Sequence, residues 1–263
     1  MLNRENLNSW ENRSRLYGTS IHGVLFKNLP SLINEHIHLW HVFCIQNFLG
    51  SKEPQTLLDI GCGYGRLSLS LLKLFPLLKP VGIDISKNYV NLYQEYVHRP
   101  ARLSSVENIP DDLGTFEVIL AVTILMYVPS DKLREAMRQM LIHLENNGLL
   151  IIIEHHCSGK KFQNPFGLRN WFQPKDRITQ DAQTGGRCFD DENISGLITA
   201  AGGEMVRSLR MPLTTFLIIP LYIIAKICPP LAKIFLRLIF NLEKKCGSLN
   251  LPSLHTAYLV KKK

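Results

Sequence analysis

Several features are missing or scarce in this chain of 263 residues, and each absence excludes something. The run Leu213 to Ala225 carries no charge, but its 13 residues fall short of the about 20 needed to cross a bilayer core, and Pro220 interrupts it. The opening Met1-Leu2-Asn3-Arg4-Glu5-Asn6 is polar and lacks the apolar core of a secretory signal, so a cytoplasmic protein is expected. Six scattered cysteines, Cys44, Cys62, Cys157, Cys188, Cys228 and Cys246, show neither metal-ligand spacing nor a small disulfide scaffold. Reduced thiols and no metal site are therefore expected. Repeats and low-complexity tracts are absent, and 46% hydrophobic content suits a chain with a real core. Acid is scarce in the second part: Met1 to Leu149 holds 14 basic and 14 acidic residues, Leu150 to Lys263 holds 16 and 8. The whole net charge of +8 thus belongs to the C-terminal part, three of it in Lys261-Lys262-Lys263.

What is present begins at Leu57-Leu58-Asp59-Ile60-Gly61-Cys62-Gly63-Tyr64-Gly65-Arg66. An apolar run ending in an acid and three alternate glycines is how a strand hands over to a nucleotide-holding turn. Glycine reaches positive φ without a steric penalty and lets a ligand approach the main chain. The apolar series from Leu67 to Phe75 fits a buried helix, whose N-terminus adds free amides and a positive dipole end. The third glycine comes one residue earlier than in the dinucleotide fingerprint Gly-x-Gly-x-x-Gly. A second apolar run, Pro80 to Ile85, carries Asp84 about where a ribose-binding carboxylate falls. Asp84 could equally start the helix that follows.

These residues resemble the class I S-adenosylmethionine-dependent methyltransferases, in the group that includes small-molecule and quinone-precursor enzymes. Leu58 to Gly65 matches the first motif, Glu107-Asn108-Ile109-Pro110 resembles the Glu-Asn-Leu-Pro after the third strand, and Phe116 to Val122 resembles the fourth strand. Leu125-Met126-Tyr127-Val128 stands where the family has Leu-His-His-Val, and Leu144 to Leu150 resembles the approach to the fifth strand. The resemblance covers residues 55 to 155 and, more weakly, 187 to 211. It implies an α/β fold: a doubly wound Rossmann-like sheet with an antiparallel last strand, an N-terminal helical cover and an apolar helical insert before the last strand. It implies S-adenosyl-L-methionine as cofactor, held by Asp59, Gly61, Cys62, Gly63, Gly65, Asp84, Ile85, Ser105, Val106, Glu107, Ala121 and Val122. Three positions depart from the pattern: Ser105 replaces an adenine-binding Asp, Glu117 an Asp, and Met126-Tyr127 the His pair. Adenine recognition is thereby shifted to the Val106 amide and apolar packing, and Cys62 reads as a small spacer.

Methyl transfer needs little beyond in-line positioning, because the sulfonium is already activated. An acceptor hydroxyl or acidic carbon would also need a base, and His155 and His156, after Glu154 at the end of the fifth strand, stand at the edge where ligands gather. Strand alternation sends only one of the two to the cleft. His155 is the preferred catalytic candidate, with His156, Tyr127 and Glu154 as rivals, and catalysis by proximity alone is an equal alternative.

Two additions flank the motifs. Residues 1–50 read as a helical cover, with a helix expected over Ser31 to Leu49, and residues 51–263 as the methyltransferase domain. Within the cover, Tyr17 and His22 are candidates for lining the acceptor pocket, against the favoured reading of a packing Tyr and a solvated His, and His36, His38 and His41 read as helix-surface histidines. The insert, 212–252, separates two expected antiparallel strands, Glu204 to Leu209 and His255 to Val260. In it, Leu231 to Leu242 confines Lys233, Arg237 and Asn241 to one narrow stripe. A buried lid, a dimer surface and peripheral membrane contact through 213–245 all fit such a segment, the last on the inner membrane surface because its basic stripe can meet anionic head groups. Nucleic acid is disfavoured, since the insert is aliphatic rather than interleaved with aromatics. The expected function is methyl transfer from S-adenosylmethionine to a small or lipophilic acceptor at O, N or C. A protein or nucleic-acid methyltransferase, or a non-catalytic binding subunit, is the alternative.

Overall fold

The computed structural model describes residues 4–159 and 187–263, the side chains from Leu7 onward. Seven strands form one sheet: β1 Thr56–Ile60, β2 Lys79–Asp84, β3 Ala101–Leu103, β4 Phe116–Val122, β5 Leu144–His155, β6 Gly203–Arg210 and β7 His255–Lys262. Their order is β3-β2-β1-β4-β5-β7-β6, parallel from β3 to β5, with β7 antiparallel to both β5 and β6. The expected sheet with its antiparallel last strand is what is found. The central strands are apolar on both faces because helices cover both, as parallel sheets require.

Alternation along β4 and β5 divides the core into two layers. Val118, Leu120, Val122, Ile151 and Ile153 face α2 (Ser31–Leu49), α3 (Arg66–Leu74), α7 (Pro212–Ile227) and α8 (Pro229–Cys246). Ile119, Ala121, Leu150 and Ile152 face α5 (Leu133–Ile142) and α6 (Asp191–Ala200). Two further helices, α1 (Arg4–Tyr17) and α4 (Lys87–Val97), lie toward the β2 side and contact each other.

The α2 boundaries are those expected, starting after Pro30 and ending at Gly50 with φ 60°. Its histidines correct the surface reading. His36 is buried under α7, its Nε2 meeting Thr214 Oγ1 at 2.8 Å, and His41 is buried on the sheet side, its Nε2 meeting His255 Nδ1 at 2.9 Å. His22 is half-buried rather than free in solvent: its ring nitrogens meet Phe26 O at 3.3 Å and Ser31 Oγ at 3.0 Å.

The insert is a helical hairpin. Pro220 does not break α7, which runs through it. Glu243, the insert's only acid, turns inward and accepts from the Leu213 and Thr214 amides at 2.8 and 2.9 Å, satisfying free N–H groups of the first turn of α7. The expected wide apolar arc of α8 is only partly used. Ala232, Leu236, Ile239 and Glu243 are buried, while Leu231, Ile234, Phe235, Leu238 and Leu242 remain exposed. Among the described residues, no helix is long and apolar enough to cross a membrane.

The expectation of reduced thiols is overturned at one pair. Cys157 and Cys188 form a disulfide with Cα atoms 4.8 Å apart. Backbone pairing aligns them, since the Cys157 amide donates to Phe189 O and the Phe189 amide to His155 O. Cys44 and Cys62 are buried free thiols.

Candidate functional site

A cavity opens at the C-terminal ends of β1, β2 and β4, where an open α/β sheet gathers ligands. Its floor is the glycine turn. Gly61, Gly63 and Gly65 have φ of +64°, +53° and +88°, and a Cβ at Gly61 would stand 2.0 Å from Ile124 Cδ1. Glycine is therefore required for the left-handed backbone, and a side chain at Gly61 would also displace Ile124.

Two carboxylates face one another across this turn. Asp84 at the end of β2 accepts from the Gly63 amide through Oδ2 and from the Ser86 amide through Oδ1, both at 2.9 Å. Ser86, not Asp84, caps α4, with its hydroxyl accepting from the Tyr89 amide at 3.2 Å. Asp59 near the end of β1 accepts from Ser68 Oγ at 2.7 Å, and Ser68 also meets Tyr93 OH. Burial pushes each carboxyl up to about 6 against these hydrogen bonds.

The opposite wall follows β4. Thr123 takes a left-handed φ of 57°, and Glu154 on β5 receives the next two amides, Ile124 at 2.8 Å and Leu125 at 2.6 Å. Burial raises the Glu154 carboxyl to about 8. The turn carries Tyr127 into the cavity, where its ring meets Trp10 of α1 edge-on with centroids 5.1 Å apart. The cover is fastened beside Asp84, because Glu11 Oε2 accepts from Ser86 Oγ at 2.8 Å and from the Asn88 amide at 3.3 Å. Burial works against ionisation of Glu11, yet the Ser86 and Asn88 hydrogen bonds and nearby Arg15 hold it below the usual carboxylate range.

Ten of the twelve expected donor-site residues line this cavity: Asp59, Gly61, Cys62, Gly63, Asp84, Ile85, Ser105, Val106, Glu107 and Val122. Gly65 does not, for it caps α3 and faces Val97 and Tyr93. Ala121 does not either, because alternation turns it into the layer under α5. The Cys62 side chain points away from the ligand side, against Gly82.

Of the catalytic candidates, only Tyr127 is in the wall. His155 lies on the α2 side against Phe26 and His255, at centroid distances of 5.3 and 4.4 Å. His156, on the α6 side, meets Ser158 Oγ at 2.6 Å and stands 3.5 Å from Asp191. Sequence reasoning missed Trp10, Val24 and Arg66 in the wall, the first two brought there by the folding-back of the cover.

A methyltransferase-domain profile matches residues 57–148, the segment that builds this floor and the strand beside it. Residues 57–148 thus form a methyltransferase domain. Among curated proteins, the malonyl-[acyl-carrier protein] O-methyltransferase of Halalkalibacterium halodurans is 29% identical over 106 residues, which are 38% of each chain. The alignment thus spans well under half of that relative. Among solved structures, the magnesium protoporphyrin IX methyltransferase ChlM of Synechocystis PCC 6803, with bound SAH, superposes with a TM-score of 0.62 at 13% identity over 98% of both chains. The plantazolicin methyltransferase BpumL, in complex with a triazolic desmethylPZN analog and SAH, gives 0.60 at 15% over 99% of this chain and 98% of its own. At such identities the likeness is one of fold.

S-adenosylmethionine is the cofactor of this methyltransferase class, and the cavity of the domain fits it. The glycine cradle leaves its main chain open to a ligand, and the Asp84 carboxyl, held by the Gly63, Ser86 and Ile85 amides, keeps acceptor capacity for a ribose hydroxyl. The Ser105-Val106-Glu107 segment offers an adenine seat without the usual Asp.

Proposed function

We propose that this domain transfers a methyl group from S-adenosylmethionine to a small lipophilic acceptor and meets the inner face of a cytoplasmic membrane through 213–245. The observation that carries the acceptor class is the apolar wall of the cavity beyond the donor floor: Trp10, Val24, Ile124, Tyr127, Val128 and Pro129.

When bound, S-adenosylmethionine supplies an activated methyl group. The residues of this chain then bind, orient and keep out water. Asp84 and the Gly61–Gly63 backbone anchor the nucleoside, and Glu154 holds the Ile124–Leu125 turn that presents Tyr127. Trp10 and Tyr127 close the acceptor side, where positioning supplies most of the rate. Burial keeps the Tyr127 phenol protonated at neutral pH, so it can donate to an acceptor oxygen but not take its proton.

Membrane contact is supported by the outer face of the hairpin. Ile223, Ile227, Leu231, Ile234, Leu238 and Leu242 are exposed among Lys226, Lys233, Arg237, Lys244 and Lys245, and no outward acid offsets these cations. An apolar face among unopposed cations is complementary to an anionic lipid surface.

Purified protein given labelled methyl donor and a cell extract should place label in the organic-soluble fraction. Label confined to protein or RNA would refute the acceptor class. The protein should float with anionic but not zwitterionic vesicles, and the double substitution Ile234→Asp with Leu238→Asp should abolish flotation. Flotation unaffected by that pair, or a concentration-dependent dimer lost with it, would assign the face to something other than lipid.

A further inference from the structure

The disulfide stands behind the turn that carries Tyr127 into the cavity. Cys157 follows the end of β5 by two positions, Cys188 precedes α6, and both are half-buried, so a small thiol can reach the bridge. The bridge joins two segments that grip one turn. On the β5 side, Glu154 accepts from the Ile124 and Leu125 amides at 2.8 and 2.6 Å. On the Cys188 side, the Arg187 amide donates to Met126 O at 3.2 Å. The three residues ahead of Tyr127 are thus held from two stretches of chain, and the sulfur–sulfur bond closes the ring between them.

Backbone pairing does not replace that bond. Phe189 stays fixed in either redox state, because it is buried and pairs with His155 O and the Cys157 amide, both at 2.9 Å. Arg187 lies on the other side of Cys188, where the bridge is the covalent tie back to β5. The donor floor hangs on different bonds, those of Asp84 to the Gly63 and Ser86 amides. Two considerations favour exchange over a permanent staple. At the cytoplasmic face proposed above, small thiols keep cysteines reduced, and disulfides that form there are mostly transient or sensing. Arg187, whose charge reaches Glu154, adjoins Cys188, and a neighbouring cation favours the thiolate that must leave or attack.

We propose that Cys157–Cys188 is an exchange site for a low-molecular-weight thiol, and that its redox state sets how firmly the Tyr127 wall is held. A thiolate attacks one sulfur to form a mixed disulfide, while the other sulfur leaves as a thiolate and takes up a proton. A second thiolate then displaces the first sulfur, so two small thiols are oxidised to one small disulfide and the bridge gains two electrons and two protons. The compartment and the acceptor role of the wall rest on the reading under Proposed function.

The test uses the full chain at room temperature in glutathione buffers ranging from all reduced to all oxidised. Alkylation with mass spectrometry should show the bridge passing from closed to open within that range. In the reduced protein, amide exchange in 124–128 should quicken by roughly tenfold or more and S-adenosylhomocysteine affinity should change by less than about threefold. Label from the methyl donor should enter the organic-soluble fraction roughly fivefold more slowly. Cys157→Ser and Cys188→Ser should match the reduced protein in every buffer. A bridge that stays closed in the most reducing buffer, or open in the most oxidising one, overturns the exchange site. Reduction that leaves 124–128 or label transfer unchanged, or that quickens exchange across the whole sheet and abolishes S-adenosylhomocysteine binding, overturns its control of the wall. Label confined to protein or RNA, with a bridge that titrates and a 124–128 segment that responds, refutes the acceptor class and leaves the redox site standing.

Discussion

Glu11 and Ser86 join the cover to the donor floor: the carboxylate of α1 receives the hydroxyl of the residue that caps α4, at 2.8 Å. Ser86 also gives its amide to Asp84. One residue thus links the helix that closes the cavity with the acid at the end of β2.

Removal of this link should loosen the cover rather than the fold. Glu11→Ala is expected to lose about 1–3 kcal/mol of local stability, since a hydrogen bond to a charged group is removed. Limited proteolysis should then cut within residues 4–17 well before global unfolding. Glu11 is held below its ordinary value, so its contribution is complete at neutral pH and lost as pH falls through the lowered value. Wild-type protein should acquire the same susceptibility under acid conditions.

Donor affinity should titrate with Asp84. Its carboxyl is raised from 3.8 to about 6 by burial, and the ionised form is the better acceptor for ribose hydroxyls. S-adenosylhomocysteine affinity should be flat above pH 7 and fall by up to about tenfold per unit below 6. Asp84→Asn should bind more weakly and lose most of that pH dependence. A raised acid stabilises the ligand-free fold below its unfolded value and ceases to do so as pH rises through about 6, so the ligand-free protein should gain thermal stability as affinity declines.

Glu154 separates charge from hydrogen bonding. Burial raises it to about 8, so it is largely protonated at neutral pH, and its stabilising contribution disappears as pH rises through that value. Glu154→Gln keeps the acceptor for the Ile124 and Leu125 amides and should melt close to wild type, with a flatter profile between pH 7 and 9. Glu154→Leu leaves both amides unpaired and should cost about 2–4 kcal/mol, measured by denaturant titration.

Reduction of Cys157–Cys188 should lower the melting temperature by roughly 10 °C. Closing a chain separation of 31 residues is worth about 3–4 kcal/mol in the loop-entropy account. Cys157→Ser should match the reduced wild type and no longer respond to reductant.

The parts of this protein visible in the sequence are those that local chemistry determines. The Gly61–Gly65 turn needs left-handed backbone whatever surrounds it, and α2 begins after a proline and ends at a glycine. Asp59 and Asp84 follow from strand endings. The remainder depends on contacts between distant segments. Nothing near Trp10 announces Tyr127, 117 positions away, and nothing near Arg66 announces His38 or His41. The histidines of α2 read as surface residues because their partners, Thr214 for His36, Ser70 for His38 and His255 for His41, are distant in the chain and leave no local trace. Cys157 and Cys188 pair only once the chain just after β5 lies beside the segment that precedes α6, at the His156–Phe189 bridge. His155 and His156 sit at the right edge of the sheet but on faces that turn away from the cavity.

The inward turn of Glu243 has an electrical consequence. The first 149 residues are charge-balanced, and the hairpin between β6 and β7 shows five cations outward with its one acid withdrawn. The outer face of the hairpin is therefore a patch of uncompensated positive charge. Near a negatively charged surface at low ionic strength such a patch is drawn in before any contact forms.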